Sequence, residues 1–378
     1  MFLDIAEPFA PHPAAVFRRE EPARHWDRPP PALLVDLAPA PRVTAESLGG
    51  RQRASGRSLD TFGDAALVWS DVFLLGQRFE CAYGEAALHQ AWALGLRDAG
   101  SLAQRTAGLS IVQGRPWLDP AKLDGATRVD GPVFFATPQE PHNWGLWLTA
   151  CVPAIARFRD RARPGERLFC YRHHPNMDAT LALLGVAPEH VVRHDLYAAY
   201  RLEEVTAYRT GGMDLAVTEA ERAVFAGMVR AAGPAGDAPR RILVTRRSAT
   251  GPDARALLDE AAVAERLARL GFVPIDPLAM TVPEQVRAFA AAEMVAGIGG
   301  AGMFNTVFCR PGTKVLSIED SPTFLGMHAN LFASLGHEYG FVLGVHAPES
   351  APGKLRWHTD PAAVEAAARR FFGLAQGG

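Results

Sequence analysis

From Val129 onward, short apolar runs alternate with longer stretches whose apolar positions recur at helical spacing. The runs PVFFA, RLFCY and HVVRH read as strands. Between them NWGLWLTACVPAIARFRDR reads as a helix that Pro153 should kink, and MDATLALLGV as a shorter helix. TEAERAVFAGMVRAAG is amphipathic, with Thr218 as cap and Glu221 completing a capping box. The next segment, GPAGDAP, has linker composition. Beyond it RILVT, FVPID, MVAGI and TKVLSIE predict strands. ARALLDEAAVAERLARLG predicts a helix with Leu257, Ala261, Ala264 and Leu267 on one face. TVPEQVRAFAAAEM predicts another, through a Thr281–Glu284 capping box with Pro283 in its first turn, and AGMFNTVFC a short one. Asp360 and Pro361 mark the start of a last helix.

Strand and helix in regular alternation imply an α/β protein with parallel sheets covered by helices on both faces. Two such sets joined by a linker predict two Rossmann-like domains facing a cleft. The expected boundaries are a Pro/Arg-rich lead-in over 1–60, an N-terminal domain over 61–232, a C-terminal domain over 240–358 and a closing helix over 360–376. The lead-in, with RPPPALLVDLAPAPR at its centre, is expected to be loose apart from one short strand.

At 378 residues the chain has room for two cores, and 48% hydrophobic with 21% charged residues is globular composition. The formal net charge of -2 gives no reason to expect a nucleic-acid partner. No apolar run has membrane-spanning length, and MFLDIAEPFAPHP lacks the basic-then-apolar order of a signal peptide, so a cytoplasmic protein is the expectation. Cys81, Cys151, Cys170 and Cys309 are scattered and read as buried thiols in a reducing compartment.

One motif raises a question of chemistry. VAGIGGAGMFN places Gly297, Gly299 and Gly302 in the spacing G-x-G-x-x-G, after a strand and before a helix. Glu319 and Asp320 end the next strand, where an acid could accept from a ribose hydroxyl. An NAD enzyme is therefore one reading. Against it, two strand–helix units precede the glycines, and the following helix stops early at Pro311-Gly312. Glycines that merely allow close packing are a further reading. Whatever the cofactor, backbone N–H groups at a helix start suit an anion such as a diphosphate.

The stretch from Arg240 to Glu319 resembles the C-terminal half of the family 61 glycosyltransferases, of the type found in capsular-polysaccharide synthesis. The residues that carry the resemblance are Arg246, Asp259-Glu260, Gly271-Phe272, Glu284-Gln285, the block Gly297, Gly299, Gly300, Ala301, Gly302 and Asn305, and Pro311-Gly312-Thr313. Asn143, Trp144, Gly145, Trp147, Leu148 and Pro153 resemble a second block of that family. The resemblance implies a GT-B fold and transfer of a sugar from a nucleotide sugar, with UDP the expected nucleotide. It implies a glycan or polysaccharide acceptor and inversion at the anomeric carbon. The donor would lie on Arg246, Gly297, Gly299, Gly300, Ala301, Gly302, Asn305 and Glu319, and the acceptor near Asn143, Trp144 and Trp147. No D-x-D motif calls for a metal-held diphosphate, so no metal or other cofactor is expected.

Three departures fall on polar positions of the family pattern: Leu146 stands for its His, Ala150 for its acid, and Gly299 for the His of its glycine block. An inverting transferase needs a base to take the acceptor's proton. His142 lies one helical turn before Leu146 and could reach a similar region. His173, His174 and Asp178 follow a strand, at the sheet edge where α/β ligands bind, and are further candidates. The alternative is a relative that binds nucleotide or glycan without transfer.

Overall fold

The apolar runs become central strands because a parallel strand is covered on both faces and can place every side chain in a core. The computed structural model describes residues 2–5, 16–67, 72–75, 88–93, 109–112, 115–118, 121–137, 140–209, 214–248, 256–347 and 356–375. The protein is mixed α/β and divides into two compact units, Met1–Ala23 with Ser55–Met213, and Arg24–Ala54 with Asp214–Gly378.

In the first unit, Val191–His194, Arg167–Tyr171, Thr127–Phe135 and Tyr200–Arg209 lie side by side and parallel. In chain order that is 3-2-1-4, the order of a Rossmann half. Beyond Tyr200–Arg209 the expectation of an all-parallel sheet is overturned. Arg57–Leu67 pairs antiparallel with it, and further short strands extend the sheet to eleven among the described residues. Val72–Leu75 pairs antiparallel with Arg57–Leu67 in turn, two strands too close in sequence for a helical crossover. Phe62, Leu67, Val133, Phe135, Phe169, Leu202 and Val205 form the core on one face.

Around Pro153 the helix of this unit is not continuous α-helix. Trp144–Leu146 is α-helical, Trp147–Cys151 is a π turn, and Val152–Arg161 resumes as α-helix with Pro153 in its first turn. The wider turn absorbs a residue that cannot donate to the ladder.

The second unit holds a six-stranded, wholly parallel sheet in the order Val273–Ile275, Arg241–Val244, Met294–Ile298, Lys314–Glu319, Glu338–Leu343, Leu33–Asp36. Its first five strands run 2-1-3-4-5 in chain order, the doubly wound arrangement in which the order reverses between the first and third. The sixth strand comes from the segment read as a loose lead-in. That segment is anchored: buried Arg28 donates from Nε to Leu48 O at 2.6 Å and from Nη1 to Gly326 O at 2.7 Å and Asn330 Oδ1 at 2.8 Å.

Both capping boxes form, at Thr218/Glu221 and Thr281/Glu284. The closing helix Pro361–Phe372 starts at Asp360 and packs Val364, Ala368, Phe371 and Phe372 into the second unit's core. Two helix expectations are corrected. Only Glu260–Ala268 of the long stretch is α-helical; Ala256–Leu257 is a strand paired with Arg356–His358. Leu257 gains burial beside Trp357, and Asp259 accepts from Thr359 N at 3.1 Å, so tertiary contacts outweigh helix periodicity. Ala301–Phe308 is a 3-10 helix, because Asn305 and Thr306 side chains bond the carbonyls three residues back, Gly302 and Met303.

Among the described residues no helix is long and apolar enough to cross a membrane. Cys151, Cys170 and Cys309 are buried free thiols, as expected, while Cys81 lies outside the described residues.

Candidate functional site

In the second unit the order of the sheet reverses between Arg241–Val244 and Met294–Ile298, and the segments leaving those two strands are the Arg246 segment and the glycine turn. Both arginines lie just past the strand, which ends at Val244; Arg246 is half-buried and Arg247 exposed. Arg246 Nη1 donates to Gly299 O at 2.9 Å, and its backbone N–H donates to Glu260 Oε1 at 2.9 Å. A cation is thereby held on the turn by two independent anchors.

Each glycine has its own reason. A Cβ on Gly297 would meet Met303 Sδ at 2.2 Å and Val244 Cβ at 2.8 Å, so this glycine permits helix-to-strand packing. Gly299 lies against a carboxylate: a Cβ there would meet Glu319 Oε2 at 2.0 Å. Gly300 has φ 139° and ψ -168°, a conformation reserved for glycine, and it caps the 3-10 helix. Ala301 and Gly302 are half-exposed at the first turn of that helix. Gly297, Gly299 and Gly300 are thus buried, and the turn reaches the surface only at Ala301 and Gly302.

Two residues expected to touch a donor face the interior instead. Asn305 is fully buried and donates to Gly302 O at 3.0 Å. Glu319 is 1% exposed; its Oε1 accepts from Ser317 Oγ at 2.6 Å and lies 2.7 Å from His328 Nδ1. Burying a carboxylate demands such partners, so these side chains hold the turn rather than extend from it. The sequence reading missed His328. It sits on the helix Leu325–Ser334, whose MHANLF pattern carries helical spacing.

In the first unit, His142, Tyr171, His173 and His174 gather beyond the C-terminal ends of Thr127–Phe135 and Arg167–Tyr171. Tyr171 OH lies 3.3 Å from His142 Nδ1. The His142 and His173 rings meet edge-on at 4.7 Å, and Tyr171 stacks on His173 at 4.7 Å. Desolvation, with His142 and His174 alongside, pushes His173 down to about 4, so it is neutral at physiological pH. His174 is the cap of Pro175–Leu183, its Nδ1 accepting from Asn176 N at 3.1 Å. Asp178 is taken by Arg172, whose Nε donates to Oδ1 at 2.5 Å. The structure therefore brings together His142 and His173, with Tyr171 unanticipated, and gives His174 and Asp178 structural partners.

The acceptor-side expectation needs a correction. Asn143 is a helix cap whose Oδ1 accepts from Gly145 N and Leu146 N. Trp147 is fully buried, because the π turn rotates it into the core; Trp144 alone of the three is an aromatic with part of its surface accessible. Leu146 is also buried, at 5% exposure.

Among the described residues no group of three or more His, Cys, Asp or Glu is placed to hold a metal ion. Compared with known families, residues 144–316 match the family described as Glycosyltransferase 61. No curated protein matches the chain.

Proposed function

From the premise that the matched stretch makes this chain a family 61 glycosyltransferase, we propose that it is an inverting GT-B enzyme that takes a sugar from a UDP-linked donor to a glycan acceptor. The observation that carries the reading is Arg246 bonded to the carbonyl of Gly299 at the reversal point of the second unit's sheet. Guanidinium, helix-start N–H groups and a glycine-only turn together suit a diphosphate. Gly300, Ala301, Gly302 and Arg246 contact it in this reading, with Gly297, Gly299, Asn305 and Glu319 as support.

The candidate to take the acceptor's proton is His142, four residues before Leu146 in the chain, with Tyr171 OH and the neutral His173 beside it. As the acceptor oxygen bonds the anomeric carbon, the bond to the diphosphate breaks and its charge settles on Arg246 and the turn. No metal is needed for that step, so turnover persists in EDTA.

Thermal shift against UDP, GDP, CMP and NAD tests the donor. A ligand at a hundred times its dissociation constant adds about 2.7 kcal/mol, and UDP is expected to do so. Stabilisation by NAD alone sinks the reading. Release of UDP from UDP-sugars over a glycan panel then tests transfer, with His142→Ala expected to lose about a hundredfold or more in rate. Wild-type protein that binds UDP yet supports no release on any acceptor is a non-catalytic relative, the outcome that the buried Leu146 would favour.

A further inference from the structure

We propose that Glu319 and His328 form a positioning pair that braces the glycine turn, so that the turn keeps its anion-accepting shape only while the His328 Nδ1 bond is present. Glu319 ends the strand Lys314–Glu319, and His328 comes from the helix Leu325–Ser334, so the pair exists only in the folded unit. Both side chains are at least nine-tenths buried. One carboxylate oxygen takes Ser317 Oγ at 2.6 Å and His328 Nδ1 at 2.7 Å. The other lies where the side chain of residue 299 would project, flush against Gly299.

That contact matters because Gly299 is held from the other side as well. Arg246 binds its carbonyl, and its N–H donates to Ile318 O at 2.8 Å. The peptide leading into Gly300 is thus clamped between a cation and a carboxylate. The imidazole makes a second contact with the same segment: the ring of Phe304, on the 3-10 helix that follows the turn, meets it edge-on at 5.7 Å. His328 therefore restrains the turn through Glu319 and the helix behind it through Phe304. Beyond the strand end, Asp320 lies 3.8 Å from His346.

The affinity half of this inference rests on the donor reading given above; the structural half does not. Hydrogen exchange of the peptide spanning 298–304 and calorimetry with UDP and with uridine test the two halves on the full chain. His328→Leu removes the donor, and His328→Asn restores one at the Nδ1 position. Leu is expected to speed exchange in 298–304 and weaken UDP by about tenfold or more, the scale of a charge-assisted hydrogen bond. Uridine should change by less than about threefold, and exchange in the helix Pro361–Phe372 should not change. Asn is expected to return both readouts to within about threefold of wild type. The inference is overturned if Leu leaves exchange in 298–304 unchanged, or if Asn is as impaired as Leu. Should the Leu variant fail to fold, Ser317→Ala removes the other donor to the same oxygen, with a smaller change in the same direction expected and no change overturning the pair. Wild-type protein that binds no UDP rejects the donor reading, while the exchange result still decides whether the pair braces the turn.

Discussion

Arg246 Nη1 donates to the carbonyl of Gly299 at 2.9 Å, joining the ends of the two strands between which the sheet order of the second unit reverses. The bond orients the guanidinium without consuming all of its donors, since the group carries five. Arg246→Ala is expected to weaken UDP by about tenfold to a hundredfold while uridine changes by less than about threefold. Equal losses for both in calorimetry would make the arginine a fold element only.

The glycines should separate by cause. Gly300→Ala forces a side chain to φ 139° and is expected to cost about 1–3 kcal/mol of stability. Gly297→Ala drives a Cβ into Met303 and Val244, at a similar cost of about 1–3 kcal/mol. Gly302→Ala meets Val244 Cγ1 at 3.2 Å and Pro277 Cγ at 3.6 Å, and should cost less than about 1 kcal/mol. Urea melts rank the three. A Gly302 variant as unstable as the Gly297 one contradicts the packing argument.

Trp147 is buried, and its indole N–H has no partner among the described residues. Trp147→Phe removes that orphan donor along with some volume, so a net change within about 1 kcal/mol is expected. Trp147→Ala leaves a cavity and should cost about 3–5 kcal/mol. If Phe is as damaging as Ala, the N–H has a partner that matters.

Acid should destabilise the fold through buried imidazoles. Desolvation lowers His194 from 6.5 to about 3 and His337 to about 4. Between those values and 6.5 the unfolded chain binds protons that the folded one does not, so stability is complete above 6.5 and declines as pH falls. Each group contributes a slope of about 1.4 kcal/mol per pH unit in that window. Urea midpoints of wild type and His194→Gln, compared at neutral and at mildly acidic pH, measure it. The variant should lose less on acidification, and identical losses would refute the assignment to His194.

Most strands and helices of the second unit were legible because both of their signals are local, although the helix Leu325–Ser334 and the strand Glu338–Leu343 were not read from the sequence. Continuous apolar runs mark strands covered on both faces, and the capping boxes at Thr218 and Thr281 are written in four adjacent residues. The glycine turn was legible for the same reason, through its backbone demands. Tertiary structure alone decided that Leu33–Asp36 joins the C-terminal sheet, that Leu257 leaves its helix for Trp357, and that Trp147 turns into the core. It also decided that Glu319 meets His328 and Gly299, residues whose approach no spacing along the chain encodes. Such contacts depend on burying a charge or an aromatic ring among groups distant in sequence. Their free energy exists only once the sheet has brought those groups together.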